Sequence, residues 1–432
     1  MRPATRRFAT LHFVGLLACG ICVSSTDTNA LGTVATIDIQ KTPIAMLEKI
    51  KHDRHVSWWA EFGDTLVVGG TGKSLALTGI PLTSKYEPLT ARDLSIVIAG
   101  HQNTLPDSVQ ILARGGRTSL IIKNPAVFTD DHILIQDFKP NTVYAQSGEH
   151  NAHSIILTMN QALNAQSAMD DVDAVRWFSD VGTLSNWNRH VSSVDIVSAR
   201  DWIQEQFLKL APTSTSLQKF NVRGRDAWNV IATFDAGPTS DVYVIGGHYD
   251  SISEQISQSA PGAEDNASGA AGVIELARVF SSRQNKATLI FVAFSGEEEG
   301  LVGSKAYVIN LPQDIKSRIK SVLTMDMIGY SKDDSEDVLL ETASKFKPLS
   351  DQYAAAARLV PGLRYFTTFN PFGSDHMPFI DADIPAILTI DNDWGDYPTY
   401  HRTGDTIDKV SRDMGLAILK MNAATLAVLT GS

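Results

Sequence analysis

The chain has only two cysteines in 432 residues, Cys19 and Cys22, and both lie in its first apolar stretch. Without that stretch no thiol remains, so no disulfide staples the protein and its stability has to come from non-covalent packing. Long hydrophobic runs are scarce as well. Leu11–Val23 is interrupted by His12 and is too short for a membrane span. Positive charge is in deficit. The formal net charge of −11 argues against nucleic acid and against an anionic membrane surface as partners. Internal repeats and low-complexity tracts are absent. What is present is ordinary for a globular chain, 43% apolar and 20% charged residues, at a length that suits two domains.

The N-terminus reads as a signal peptide over residues 1–30. Arg2, Arg6 and Arg7 precede the apolar run, and the small-residue site Thr28-Asn29-Ala30 follows it. This implies a secreted or periplasmic protein with no stable membrane insertion. Lipid attachment at Cys19, after Leu16-Leu17-Ala18, is the minor alternative, and a twin-arginine signal at Arg6-Arg7 is poorly matched by the residues after it. A Cys-x-x-Cys metal site would sit in a segment destined for removal.

Residues 31–165 read as a small α+β accessory or pro-domain. A helix is expected over Pro43–His52, with strands at Thr65–Val68, Leu94–Ala99, Val109–Ala113, Ser119–Ile122 and His132–Ile135. Gly115 and Gly116 between two of these runs mark a hairpin. His101, His132 and His150 lack ligand spacing and are read as surface or core residues. The polar, alanine-rich segment Asn160–Asp171 is taken as the boundary. Beyond it, residues 166–432 alternate helices and strands, which predicts an α/β unit with a mixed, largely parallel sheet flanked by helices. Trp177, Trp202 and Phe207 fall on the apolar faces of predicted helices Val172–Val181 and Val194–Leu210. Further strands are expected at Trp228–Phe234, Val242–Ile245, Thr288–Phe294, Val322–Met325 and Ile384–Ile390, with helices from Ala267 and over Asp413–Leu429.

Polar residues cluster just after these strands, where an open α/β sheet binds its ligands. His248 and Asp250 are two apart after the Val242 strand, so an extended backbone turns both to one side. One can bind metal while the other orients it. Asp265 precedes a helix, and Glu297, Glu298 and Glu299 follow the Thr288 strand. Asp326 follows an apolar strand, and His401 lies in a late loop. Each has a bland reading when taken singly. A strand-end histidine beside a solvated aspartate, a helix cap at Asp265 or glutamates at a helix N-terminus would need no metal. Asp326 beside a buried run is harder to place without a partner. Five separate positions offering only imidazole nitrogen and carboxylate oxygen point to a metal-dependent hydrolase, because crowded carboxylates repel one another without cations.

The motifs resemble the co-catalytic zinc aminopeptidases typified by secreted bacterial leucyl aminopeptidase, metallopeptidase family twenty-eight. Gly-Gly-His-Tyr-Asp-Ser, Ala-Pro-Gly-Ala-Glu-Asp-Asn-Ala-Ser-Gly, Glu-Glu-x-Gly-Leu-x-Gly-Ser, Asp-Met, Ser-Asp-His and His-x-Thr-x-Asp-Thr appear in the family's order over about residues 170–430. The resemblance implies two zinc ions, with His248 and Asp326 on one, Glu298 and His401 on the other, and Asp265 bridging. It makes Asp250 the orienter of His248 and Glu297 the general base towards a metal-bridging water, while Gly300-Leu301 leaves Glu299 as the variable position. The implied reaction removes an apolar, leucine-like residue from a peptide with a free N-terminus, and a monomer is expected. The best-known bacterial relatives carry a disulfide and a tyrosine before Ser-Asp-His. Here Phe369-Asn370-Pro371-Phe372-Gly373 stands instead, so no oxyanion donor is assigned.

Three other readings are weighed. A glutaminyl cyclase of the same fold uses one zinc, whereas a full two-metal set is present. A glutamate-releasing carboxypeptidase would need an arginine cluster, and only Arg364 and Arg402 lie near the loops concerned. A metal-free binding protein of this fold would have lost ligands, and none is missing.

Overall fold

The computed structural model describes residues 32–70, 82–99, 109–123, 133–148, 155 and 157–432. The expected signal peptide with Cys19 and Cys22, and His101, His132 and His150, lie outside these residues. The N-terminal part contains β1 (Gly32–Asp38), α1 (Ile44–Lys51), β2 (Val56–Gly63), β3 (Thr65–Gly70), β4 (Ser84–Leu89) and β5 (Leu94–Ala99). It continues with β6 (Ile111–Gly115), β7 (Thr118–Ile122), β8 (Ile133–Asp137) and β9 (Thr142–Ser147). Then come α2 (Met159–Asp170), α3 (Ala174–Leu184), α4 (Asp195–Lys209), β10 (Ser214–Val222), β11 (Arg225–Phe234) and β12 (Val242–His248). They are followed by α5 (Gly269–Ser281), β13 (Thr288–Phe294), α6 (Val302–Ile309), α7 (Gln313–Lys316), β14 (Ile319–Met325) and β15 (Asp337–Glu341). The chain closes with α8 (Lys347–Ala357), β16 (Arg364–Thr368), α9 (Met377–Asp381), β17 (Ala386–Asp391) and α10 (Arg412–Thr430).

One sheet runs through the protein in the order β10-β11-β13-β12-β14-β17-β15-β16-β9-β2-β3-β1-β4. Its centre, β13-β12-β14-β17, is parallel, and antiparallel pairs flank it. The central strands are apolar along their whole length because both faces are covered, which removes the alternation of a half-exposed strand. Every residue of β12 and β13 is buried. Helix α5 begins Gly-Ala-Ala-Gly, and these small residues let it lie close on the sheet; a Cβ at Gly272 would stand 3.1 Å from Met325 Sδ. Among the described helices α10 is long and apolar enough to cross a membrane, yet 72% of its most apolar window is buried inside the protein, where it packs on α2, α3 and α8.

The segment read as a domain boundary, Asn160–Asp171, is largely helix α2. Thr158 caps it through a reciprocal pair with Gln161, and Ala165, Ala168 and Met169 are buried against the core. Its apolar face is made almost entirely of alanine, so the amphipathic signal in the sequence is weak. The N-terminal unit also extends the main sheet. Strand β9 pairs with β16 through Phe366↔Ser147 and Thr367↔Gln146, and with β2 on its other side. A second sheet, β6-β7-β5-β8, packs on this extension through Trp58, Phe62, Ile96 and Leu120.

Trp177 joins α3, α10 and the site loops. It is fully buried, its indole N–H donates to the Ser268 carbonyl at 2.9 Å, and its ring lies on Gly415, where a Cβ would come within 2.0 Å. Gly415→Ala therefore forces the indole to shift. It should cost about 1–3 kcal/mol, read as a lower denaturant midpoint at unchanged slope.

Candidate metal centre

The site forms at the C-terminal ends of β12, β13 and β14, with two loops reaching over from later in the chain. Strand β12 ends Gly246-Gly247-His248. A Cβ on Gly246 would stand 2.4 Å from the Phe294 ring, and one on Gly247 would stand 2.9 Å from the Met325 carbonyl, so glycine allows the close strand and helix approach that seats His248. Asp326 follows directly on β14. His248 Nε2 and Asp326 Oδ1 are 3.4 Å apart, both residues essentially fully buried. The Ser374 hydroxyl donates to Asp326 Oδ2 at 2.7 Å and fixes the carboxylate from the other side.

Asp265 sits in the irregular turn before α5. Its Oδ1 is 3.4 Å from His248 Nε2 and its Oδ2 is 2.8 Å from His401 Nε2, so one carboxylate stands between two imidazoles. Several neighbours hold this turn. The Asn266 side chain donates to the Met325 carbonyl at 3.0 Å and accepts from the Gly269 and Met327 backbone N–H groups at 2.8 and 3.2 Å. Asp405 accepts from the backbone N–H of Glu264 at 2.9 Å, of Asp265 at 3.1 Å, and from the Tyr397 hydroxyl at 2.6 Å. Beneath it Arg189, fully buried, donates to the carbonyls of Tyr249, Leu184, Pro261 and Gly262.

The three glutamates diverge. Glu297 offers a carboxylate oxygen within 4.8 Å of His248 and Asp326, whereas Glu298 does so with His248 and Asp265, and lies 3.2 Å from His401 Nε2. Glu299 turns away to His190 and Arg223, at 3.3 and 2.7 Å. The carboxylate of Asp250 accepts the backbone N–H groups of Glu297 and Glu298, each at 3.3 Å. His248 Nδ1 is 3.2 Å from the Asp250 backbone carbonyl and 3.6 Å from its carboxylate. An Nδ1–H donated to that carbonyl leaves Nε2 as the ligand atom. Asp250 thus sets the glutamate turn as well as the imidazole. All seven residues singled out in the sequence, His248, Asp250, Asp265, Glu297, Glu298, Asp326 and His401, converge on one crevice.

The electrostatics explain why such a crevice needs a cation. Burial, reinforced by Asp326, Asp375 and Asp250, pushes Glu297 well above the usual carboxylate range. Burial, with Asp265 and Glu297 adding, does the same to Glu298. Asp375 is pushed up to about 7, chiefly by burial. Burial opposes charge on Asp265 too, but His248 and His401 hold it well below its ordinary value. Burial would lower His248, yet Asp326 and Glu297 raise it well above an ordinary imidazole. Such crowding of buried carboxylates is what a bound cation would relieve. Among the described residues, Glu298 Oε1 is buried without a hydrogen-bond donor. Two imidazoles and several carboxylates, with no sulfur, suit zinc.

Residues 229–426 match Peptidase family M28. Aminopeptidase YwaD of Bacillus subtilis is 30% identical over 179 residues, 40% of this chain and 38% of the relative, so the alignment spans less than half of that protein. Among solved structures, BSAP, a zinc aminopeptidase from Bacillus subtilis, matches with a TM-score of 0.52 at 18% identity, over 59% of this chain and 95% of that one. LapB from Legionella pneumophila matches with a TM-score of 0.56 at 19% identity, over 78% and 99%. At such identities the likeness is one of fold.

The site also rests on residues that carried no role in the sequence. Asn266 and Asp405 stand inside quoted motifs without an assigned task. Arg189, in Asn188-Arg189-His190, has no local pattern that marks it as buried. Burial lowers its guanidinium to about 10, although Asp405, Asp250, Asp265 and Glu298 all favour the charged form.

Metal binding should show as folding stability. Chelator-treated protein should melt at a higher temperature when zinc is restored, with a gain of about 2.7 kcal/mol at a hundredfold excess over Kd. Asp265→Ala, which removes the carboxylate between the two imidazoles, should lose most of that gain in a thermal melt.

Proposed function

We propose that this chain is a two-zinc aminopeptidase acting on peptides with a free, apolar N-terminal residue. The observation that carries the reading is Asp265, with one oxygen towards His248 and the other towards His401. In this reading His248 and Asp326 would hold one ion and Glu298 and His401 another, with Asp265 in reach of both. Zinc there would supply Lewis acidity, lowering the pKa of water and polarising the scissile carbonyl. Glu297 takes the proton from the attacking water and passes it to the leaving amine, a task suited to a carboxylate whose proton affinity is raised by burial. Asp250 keeps Glu297 and Glu298 in register through their backbone N–H groups. Supporting the reading are the family match and the 30% identity to an aminopeptidase. We place the mature protein outside the cytoplasm, beginning after Ala30, which N-terminal sequencing of the extracytoplasmic protein would check.

The adjacent glutamates provide the test. Glu297→Gln keeps shape but cannot accept a proton, so kcat on leucyl-anilide should fall by about 10²–10⁴ with zinc content unchanged. Glu298→Gln should lose about one zinc equivalent and melt earlier. Loss of zinc from Glu297→Gln with both ions kept in Glu298→Gln would reverse the two roles. Full turnover with one tightly held zinc, or cyclisation of N-terminal glutamine in place of hydrolysis, would favour the glutaminyl cyclase reading.

A further inference from the structure

The hairpin β6–β7 belongs to the N-terminal unit, yet its tip rests on the loops of the metal centre. Gly115 pairs with Thr118, which leaves Gly116 and Arg117 as a two-residue turn. Gly116 has φ of 57°, as glycine does at the first central position of a tight hairpin. A Cβ there would stand 2.9 Å from Leu339 Cδ2 on β15, so the tip is seated against the main sheet. Arg117 is 2% exposed, although an arginine on a hairpin turn is ordinarily solvated. Its guanidinium donates to the Phe372 carbonyl and, at 3.3 Å, to the Gly373 carbonyl. It also stands 3.8 Å from the Glu341 carboxylate and 5.2 Å from the centroid of the Trp394 ring.

Each partner is a short step from the metal centre. Gly373 precedes Ser374, whose hydroxyl holds Asp326. Glu341 is fully buried at the end of β15, accepts the Phe372 N–H at 3.0 Å and lies 3.2 Å from His376 Nε2. Burial works against charge on Glu341, but Arg117 and His376 outweigh it and hold the carboxyl below its ordinary value. Trp394 lies in the segment that leads to His401, and Arg114 on the same hairpin reaches Asp396 there at 3.5 Å. A buried arginine is tolerated only when its donors and charge are matched, and here the matching groups belong to the site's own loops.

We propose that Arg117 is a positioning residue, fixing segment 370–376 and through Ser374 the carboxylate of Asp326. The N-terminal unit is then a working part of the site and not a pro-domain. The proposal rests on the aminopeptidase reading only for its kinetic readout.

The test uses the full-length, zinc-loaded protein and compares Arg117→Ala and Arg117→Lys with Leu47→Ala. The last variant loosens a separate buried cluster of the same unit, one that contains no residue of the hairpin or of segment 370–376. Zinc affinity by chelator competition, kcat and KM are measured on each. Arg117→Ala should weaken zinc by roughly 10-fold, the lower end for groups that orient metal ligands, and lower kcat more than it raises KM. Arg117→Lys should recover part of both losses, and Leu47→Ala should lower Tm alone. If Arg117→Ala does not fold, Arg117→Met replaces it, keeping most of the volume without charge. Unchanged zinc affinity and kcat in a folded Arg117→Ala or Arg117→Met protein would overturn the proposal, as would Leu47→Ala reproducing their losses. A wild type that hydrolyses no aminoacyl substrate would defeat the aminopeptidase reading, while the zinc affinities would still decide the role of Arg117.

Discussion

Asp265 faces two histidines from inside a crevice that water scarcely reaches, and most of the surrounding architecture serves to keep it there. The residue is 3% exposed, so its charge is tolerable only with positive partners on both oxygens. His248 arrives on the end of a parallel strand, and His401 arrives from a loop far along the chain. Neither loop nor strand could drift by an ångström without leaving a buried oxygen unmatched. Asn266 ties the turn of Asp265 to the end of β14, and Asp405 holds its backbone from the side of His401. The same two contacts therefore set the spacing between the ends of the site.

Buried negative charge is managed in layers. Closest in are the imidazoles and, in our reading, the metal ions. Next come backbone N–H groups, given to Asp250 by the glutamate turn and to Asp405 by the Asp265 turn. Further out lies Arg189, whose four carbonyl partners bind it as a strut while its charge favours the nearby carboxylates. Coulombic attraction is long-ranged in a medium of low polarisability, so a guanidinium need not touch the carboxylates to matter.

The N-terminal unit shares in this arrangement because the main sheet does not stop at the M28 region. Through the β9–β16 pairing the sheet carries a hairpin to the rim of the crevice. There Arg117 replaces water as the partner of the Phe372 and Gly373 carbonyls. In this chain the segment Phe369–Gly373 is gripped by a cation from another part of the protein.

Local pattern was enough to place much of this. Continuous apolar runs marked β12, β13 and β14, since strands covered on both faces have no polar side, and β5 and β13 fall on their expected residues. The seven site residues were readable because each carries a charge or an imidazole at a strand end or in a loop beside one, where burying an ionisable group is costly unless it meets a cation or another partner. Strands β1, β2, β4, β9, β10, β15 and β16 were not read, nor were helices α6 to α9 or helix α2, whose inward face is mostly alanine. Edge and antiparallel strands alternate or mix polar residues, and their pairing is set by neighbours distant in the chain. Only the tertiary structure decided that Asp250 serves two elements, that Arg189 lies beneath the site, and that Arg117 reaches across from the N-terminal unit. Arginine in a loop is usually solvated, and nothing local separates the rare one that folding buries. Sequence thus determines which groups can bear the chemistry, while the burial and long-range contacts that give each its charge state and partner exist only once the chain is closed.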